Sequence, residues 1–161
     1  MTVVDFSFQD HAKDFDDHIS RSIPGYKELV ETCVRFSRRF VQPGTTVVDV
    51  GCSTGQLLAS IHESNKAARS DVNYIGLDCV PDFGVHWGRL ENANVSFEVC
   101  DARTYAGFKN VSLACSLFTI QFIRPADKMR MLQRIFSGLV DGGARSSQKR
   151  PLPTPQGCKT P

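Results

Sequence analysis

The sequence predicts one α/β domain built on a mostly parallel sheet with helices on both faces, and three observations carry that prediction. Strand-sized apolar runs alternate with helix-sized amphipathic ones over most of the 161 residues. The first strand, Thr46 to Val50, breaks into the glycine turn Gly51-Cys52-Ser53-Thr54-Gly55, where a leucine-rich helix begins. Acids stand at the carboxyl ends of three successive strands: Asp49, Asp78 and Asp101.

Taken in order, residues 1–25 alternate polar and aromatic residues (Phe6, Phe8, Phe15) and close on Pro24-Gly25, which stops a helix. They are expected to form a separate N-terminal cap segment. From Tyr26 a helix is predicted, with Leu29, Cys33, Phe36 and Phe40 as its apolar stripe. Arg35, Arg38 and Arg39 share another face and read as a solvated surface. Pro43-Gly44 ends that helix and admits the first strand. After the turn, residues 55–68 read as a helix and Val72 to Asp78 as a second buried strand. Pro81 to Leu90 reads as a helix weakened by Gly84 and Gly88, at roughly 1 kcal/mol each. Val95 to Val99 alternates as a strand and delivers Asp101. Val111 to Phe118 is apolar enough to be covered on both faces. Ala126 to Leu139 is predicted to be a helix presenting Met129, Leu132, Phe136 and Leu139, closed by Asp141-Gly142-Gly143.

The last stretch differs in kind. Residues 145–161 hold half of the eight prolines and four basic residues against no acid. Such composition does not order itself by burying apolar surface. With one permitted choice of codons, the same stretch read two nucleotides later spells a strand and a helix start, so a frameshifted tail is expected after a domain spanning 26–144.

Composition excludes some functions. The net charge of +2 resides in that tail, so the body gives no electrostatic reason for direct nucleic-acid binding. The apolar runs are too short for a membrane span. Six cysteines without a C-x-x-C or a nearby His pair suggest neither a metal centre nor a disulfide framework, but a reduced cytoplasmic protein.

In a parallel sheet of this kind the three acids face one crevice. A carboxylate closing the second strand suits a ribose diol, and one after the third suits an adenine amino group. A dinucleotide turn would read Gly-x-Gly-x-x-Gly. Here Asp49 stands two residues before Gly51, where it repels a pyrophosphate but attracts an ammonium or a sulfonium. The ligand indicated is S-adenosylmethionine (SAM). A nicotinamide-dependent dehydrogenase is the competing reading, and Asp49 and Ser53 argue against it.

The turn, the acids and the closing Asp-Gly-Gly resemble a class I SAM-dependent methyltransferase, which has a Rossmann-like fold. Four segments carry a narrower likeness. They are Arg21-Ser22-Ile23-Pro24-Gly25-Tyr26, Arg39-Phe40-Val41-Gln42-Pro43-Gly44-Thr45, Asp49-Val50-Gly51-Cys52-Ser53 and Phe118-Thr119-Ile120-Gln121-Phe122-Ile123-x-Pro125. Together they resemble the carboxy-S-adenosylmethionine synthase family from about Phe6 to Ala144. That resemblance implies conversion of SAM and prephenate into carboxy-SAM and phenylpyruvate, for modification of the tRNA wobble uridine. It also implies cofactor contacts at Tyr26, Gly51, Cys52, Ser53, Asp78, Cys79, Asp101 and Ala102, to which the turn adds Asp49 and Gly55.

The family has an asparagine where this chain has Leu117, and an arginine that holds the added carboxylate has no counterpart after Ala144. The expectation is therefore a SAM-binding transferase fold lacking its C-terminal strands. Its alternatives are a carboxy-SAM synthase and a truncated, non-catalytic product. A small-molecule substrate is implied, and no catalytic base is identifiable. Loss of a fifth strand would leave Val111 to Phe118 as an open edge, through which the chain could pair as a homodimer.

Overall fold

The computed structural model describes residues 14–148. Helices α1 (Phe15–Ser22) and α2 (Tyr26–Phe40) precede strand β1 (Thr46–Val50) and helix α3 (Gln56–Asn65). Strand β2 (Asn73–Asp78) leads through a 3₁₀ turn at Pro81–Phe83 into the single-turn helix α4 (Gly84–Trp87). Then come β3 (Val95–Val99), β4 (Val111–Leu117), a 3₁₀ turn at Ile120–Phe122, α5 (Pro125–Ser137) and β5 (Leu139–Gln148). The five strands form one sheet in the order β3-β2-β1-β4-β5, with every neighbouring pair parallel. The order reverses between β1 and β4, so the carboxyl ends of those strands open a crevice there.

The central strands are apolar on both faces because both are covered. Val47, Tyr74, Leu113 and Cys115 pack with Cys33 of α2 and Leu58 and Ile61 of α3. Val48, Val50, Leu77 and Ala114 pack on the other face with Met131 and Ile135 of α5. A third, smaller cluster joins Phe15 of α1 to Cys52, Phe83 and Trp87. Buried polar groups tie the first layer. Asn65 Nδ2 donates to Ser37 Oγ at 2.8 Å, and Thr45 Oγ1 donates to Ser112 Oγ at 2.7 Å.

Several expectations need correction. The apolar stripe assigned to the last helix is not its buried face: Met131 and Ile135 are buried, while Met129 is 60% and Phe136 76% exposed. On α2, Phe36 likewise faces out and Ser37 faces in. Helix α5 closes at Gly138, not at the Asp-Gly-Gly sequence. Asp141-Gly142-Gly143 instead forms a bulge inside β5, between the pairs Val111–Leu139 and Leu113–Ala144. Gly142 is left-handed there (φ 75°), and a Cβ on Gly143 would crowd the carbonyls of Val140, Val111 and Ser112. The helix predicted over Pro81 to Leu90 is reduced to the 3₁₀ turn and α4.

The fifth strand is present, so β4 is not an open edge. Residues 145–148, expected within a structureless tail, pair in register with Ala114 to Leu117. Main-chain hydrogen bonds to an ordered neighbour hold them, and that pairing needs no apolar run in the added strand. The reason for expecting a partner over β4 is thereby removed. Phe6, Phe8 and residues 149–161 lie outside the described residues.

Candidate functional site

A cavity of about 670 Å³ opens over the carboxyl ends of β1, β2, β3 and β4. Its walls come from the turn after β1, the strand ends at Asp78-Cys79 and Cys100-Asp101, the 117–124 segment, and α1 with the start of α2. Nine of the ten residues predicted for cofactor contact line it: Tyr26, Asp49, Gly51, Cys52, Ser53, Asp78, Cys79, Asp101 and Ala102. Gly55 does not. It starts α3 in a left-handed conformation (φ 83°), and a Cβ there would run into the ring of Phe97, so its role is close helix–strand packing.

The turn is built from its own hydrogen bonds. The amides of Gly51 and Cys52 donate to the Leu77 carbonyl at 2.8 and 3.1 Å, and that of Gly55 donates to Cys52 O at 2.8 Å. Ser53, held at φ 47°, donates its amide to Asp78 Oδ2 at 2.9 Å and accepts from Trp87 Nε1 at 2.8 Å. Gly51 adopts φ 76° with Thr119 directly against it, leaving no room for a side chain. Thr54 Oγ1 donates to Asp16 Oδ1 at 2.7 Å, which ties α1 down over the turn.

The three acids differ. Asp49 is 2% exposed, and no described residue donates a hydrogen bond to its carboxylate. Desolvation, with Asp78 nearby, pushes its pKa up to about 7. Asp78 accepts from the amides of Ser53 and, at 3.0 Å, Val80. Burial still holds it above the ordinary carboxylate range against those bonds. Asp101 is gripped by Arg103, whose Nε lies 2.9 and 2.8 Å from its two oxygens, and this lowers its pKa. Arg103 and Arg124 also share Asp127, at 3.4 and 2.8 Å, at the rim.

Tyr26 presents its ring to the cavity with Phe118 6.1 Å away between centroids, and burial followed by Asp16 and Asp49 pushes its hydroxyl up to about 12. Cys52 is buried, and desolvation holds its thiol far above the ordinary range, which suits a packing role. Among the described residues no group of three or more His, Cys, Asp or Glu side chains could hold a metal. None of the described helices is long and apolar enough to cross a membrane.

Sequence reasoning missed the α1 wall (Phe15, Ile19), Trp87 and the Arg103 clamp. Phe15 and Ile19 carry the i, i+4 spacing that would have marked α1 as a packed helix. Trp87 and Arg103 act across the fold, and no local pattern marks them.

The family described as "Methyltransferase domain" matches residues 47–143, more than half of the chain. Carboxy-S-adenosyl-L-methionine synthase of Klebsiella pneumoniae is 34% identical over 146 residues, covering 87% of this chain and 58% of that protein. The synthase of the same name from Shewanella denitrificans is 30% identical over 151 residues, covering 88% and 60%. The chain thus spans about three fifths of the length of these curated relatives. Among solved structures, the SAM-bound amino pentose methyltransferase of Micromonospora echinaspora is similar with a TM-score of 0.61 at 17% identity, covering 95% of this chain and 60% of that one.

Proposed function

Because the chain belongs to the methyltransferase domain family, we propose that its cavity binds S-adenosylmethionine and that it provides the cofactor site of a SAM-dependent transferase. One observation carries the reading. Asp49, a buried carboxylate without a donor among the described residues, faces a cavity that Asp78 and Asp101 also line. Such a group asks for a cation, and SAM carries both an ammonium and a sulfonium.

The same turn argues against a dinucleotide. The amides of Gly51, Cys52, Ser53 and Gly55 all donate within the protein, so they are spent before a pyrophosphate could reach them. Asp78 keeps acceptor capacity for a ribose diol beyond its two amide bonds. The rings of Tyr26 and Phe118 exclude water and can lie near a sulfonium. Asp101 meets an adenine amino group only with Arg103 attached. When bound, SAM supplies an activated group on sulfur, and what these residues add is binding and orientation. No described side chain in the cavity is assigned as a base, and the acceptor is taken to be a small molecule. The free cysteines suit a cytoplasmic setting.

Calorimetric titration of the chain with SAM, and with NAD as control, tests this. Binding of SAM and not NAD is expected. A well-folded chain that binds neither overturns the reading and leaves a non-catalytic product.

The identity to the two synthases favours a second, narrower reading: formation of carboxy-SAM from SAM and prephenate. Leu117, an apolar residue in the cavity wall where that family has an asparagine, weighs against it. Incubation with SAM and prephenate, followed by assay for phenylpyruvate, decides it.

A further inference from the structure

Cys79 and Cys100 follow the last paired residues of β2 and β3. Asp78 and Val99 are the last partners in the parallel register, and the Cys100 amide donates to Asp78 O at 2.8 Å as part of that pairing. The two cysteines therefore each stand one residue beyond the last registered pair of two neighbouring strands. Neighbouring strands run about 4.8 Å apart, so residues one step past a registered pair start from that separation. That separation falls inside the roughly 4.4–6.8 Å range of Cα distances that a disulfide spans. Both residues line the cavity, Cys79 exposed and Cys100 partly so, whereas Cys33, Cys52 and Cys115 are buried.

We propose that Cys79 and Cys100 form a dithiol site in the cavity wall, which a low-molecular-weight disulfide such as oxidised glutathione converts into an intramolecular disulfide. Cys79 loses its proton, and its thiolate attacks one sulfur of the glutathione disulfide. That S–S bond breaks, one glutathione leaves and a mixed disulfide remains on Cys79. The Cys100 thiolate then attacks the Cys79 sulfur and expels the second glutathione. Two electrons pass from the protein dithiol to the glutathione disulfide, and the two thiol protons end on the released glutathiones. Burial first, then the neighbouring carboxylates, hold both thiols above their ordinary range, so the exchange is slow and serves sustained oxidation rather than rapid signalling.

The consequence for ligand binding rests on the SAM reading above. Cys79 sits between Asp78 and Val80, whose amide bonds Asp78 Oδ1. Drawing Cys79 toward β3 displaces that amide and turns the carboxylate offered to the ligand. A tenfold or greater loss of SAM affinity is expected.

The test is overnight incubation of the full chain with oxidised glutathione, followed by intact mass, peptide mapping and titration with SAM. The expected result is a loss of two hydrogens, a Cys79–Cys100 linked peptide, weakened SAM binding, and recovery of both on reduction. Cys79→Ser and Cys100→Ser should each abolish the link. A persistent mixed disulfide on Cys79, or a link from Cys79 to Cys158 instead, overturns the site. A Cys79–Cys100 link that leaves SAM affinity unchanged overturns its effect on binding. If the reduced chain binds no SAM, the functional reading fails and the claimed effect with it, while the mass still decides whether the dithiol closes.

Discussion

The backbone amide of Ser53 donates to Oδ2 of Asp78 at 2.9 Å, so the turn after β1 is held by the residue that ends β2. One carboxylate thus shapes the turn and faces the cavity. Asp78→Ala should leave the amides of Ser53 and Val80 without acceptors and cost about 1–3 kcal/mol of stability. Urea denaturation checks the stability, and titration with SAM should show at least a tenfold loss on the same protein.

Asp49 makes the molecule sensitive to pH. Its pKa in the folded chain is about 7, above the ordinary carboxylate value, so the stability it contributes is greatest in acid and is lost as pH rises through about 7. Asp49→Asn removes that dependence. The variant should be more stable than the parent at pH 8, by on the order of 1–3 kcal/mol, with the gap closing toward pH 5. Thermal unfolding at the two pH values measures it.

A cationic ligand requires the ionised form of the same group. Affinity for SAM should therefore rise between pH 6 and pH 8 in the parent and stay flat in Asp49→Asn, at a lower level throughout. Titrations across that range would show the slope.

Gly51 is limited twice, by its left-handed backbone and by Thr119 against its α-carbon. Gly51→Ala should destabilise by about 1–3 kcal/mol. Adding Thr119→Ala removes Oγ1 and Cγ2 but keeps a Cβ 2.8 Å away, so it should recover part of the steric cost and leave the backbone strain. A double-mutant cycle in urea separates the two.

Helix α5 offers a test of which face is buried. Met131→Ala should cost about 2–5 kcal/mol, and Phe136→Ala should fall within about 0.5 kcal/mol of the parent. The opposite ranking would mean that α5 is rotated.

Much of this was legible in sequence. Strands β1 and β3 were readable to the residue, because Pro43-Gly44, the glycine turn and the alternation over Val95 to Val99 bound them on both sides. The acids at strand ends were readable because a parallel sheet sends all its carboxyl ends to one rim. The face of α5 was not readable. Met129, Met131, Leu132, Ile135 and Phe136 form an apolar arc of about 160°, and only the sheet chooses which edge of it is buried. Strand β5 was hidden for a different reason: its last residues are polar and basic and are ordered by β4's main chain. The Arg103 grip on Asp101 depends on how the loop folds back after β3, which spacing alone does not encode.

The hydrogen bonds inside the glycine turn also bear on competition among metabolites. ATP, ADP and the nicotinamide dinucleotides share the adenosine half of SAM, and cells hold several of them in large excess. A turn whose amides at positions 51, 52, 53 and 55 are already engaged gives their phosphates no purchase, and Asp49 repels them. On the proposed SAM reading, discrimination against the abundant nucleotides requires no dedicated barrier. It follows from donors the fold has already used to close its own loop.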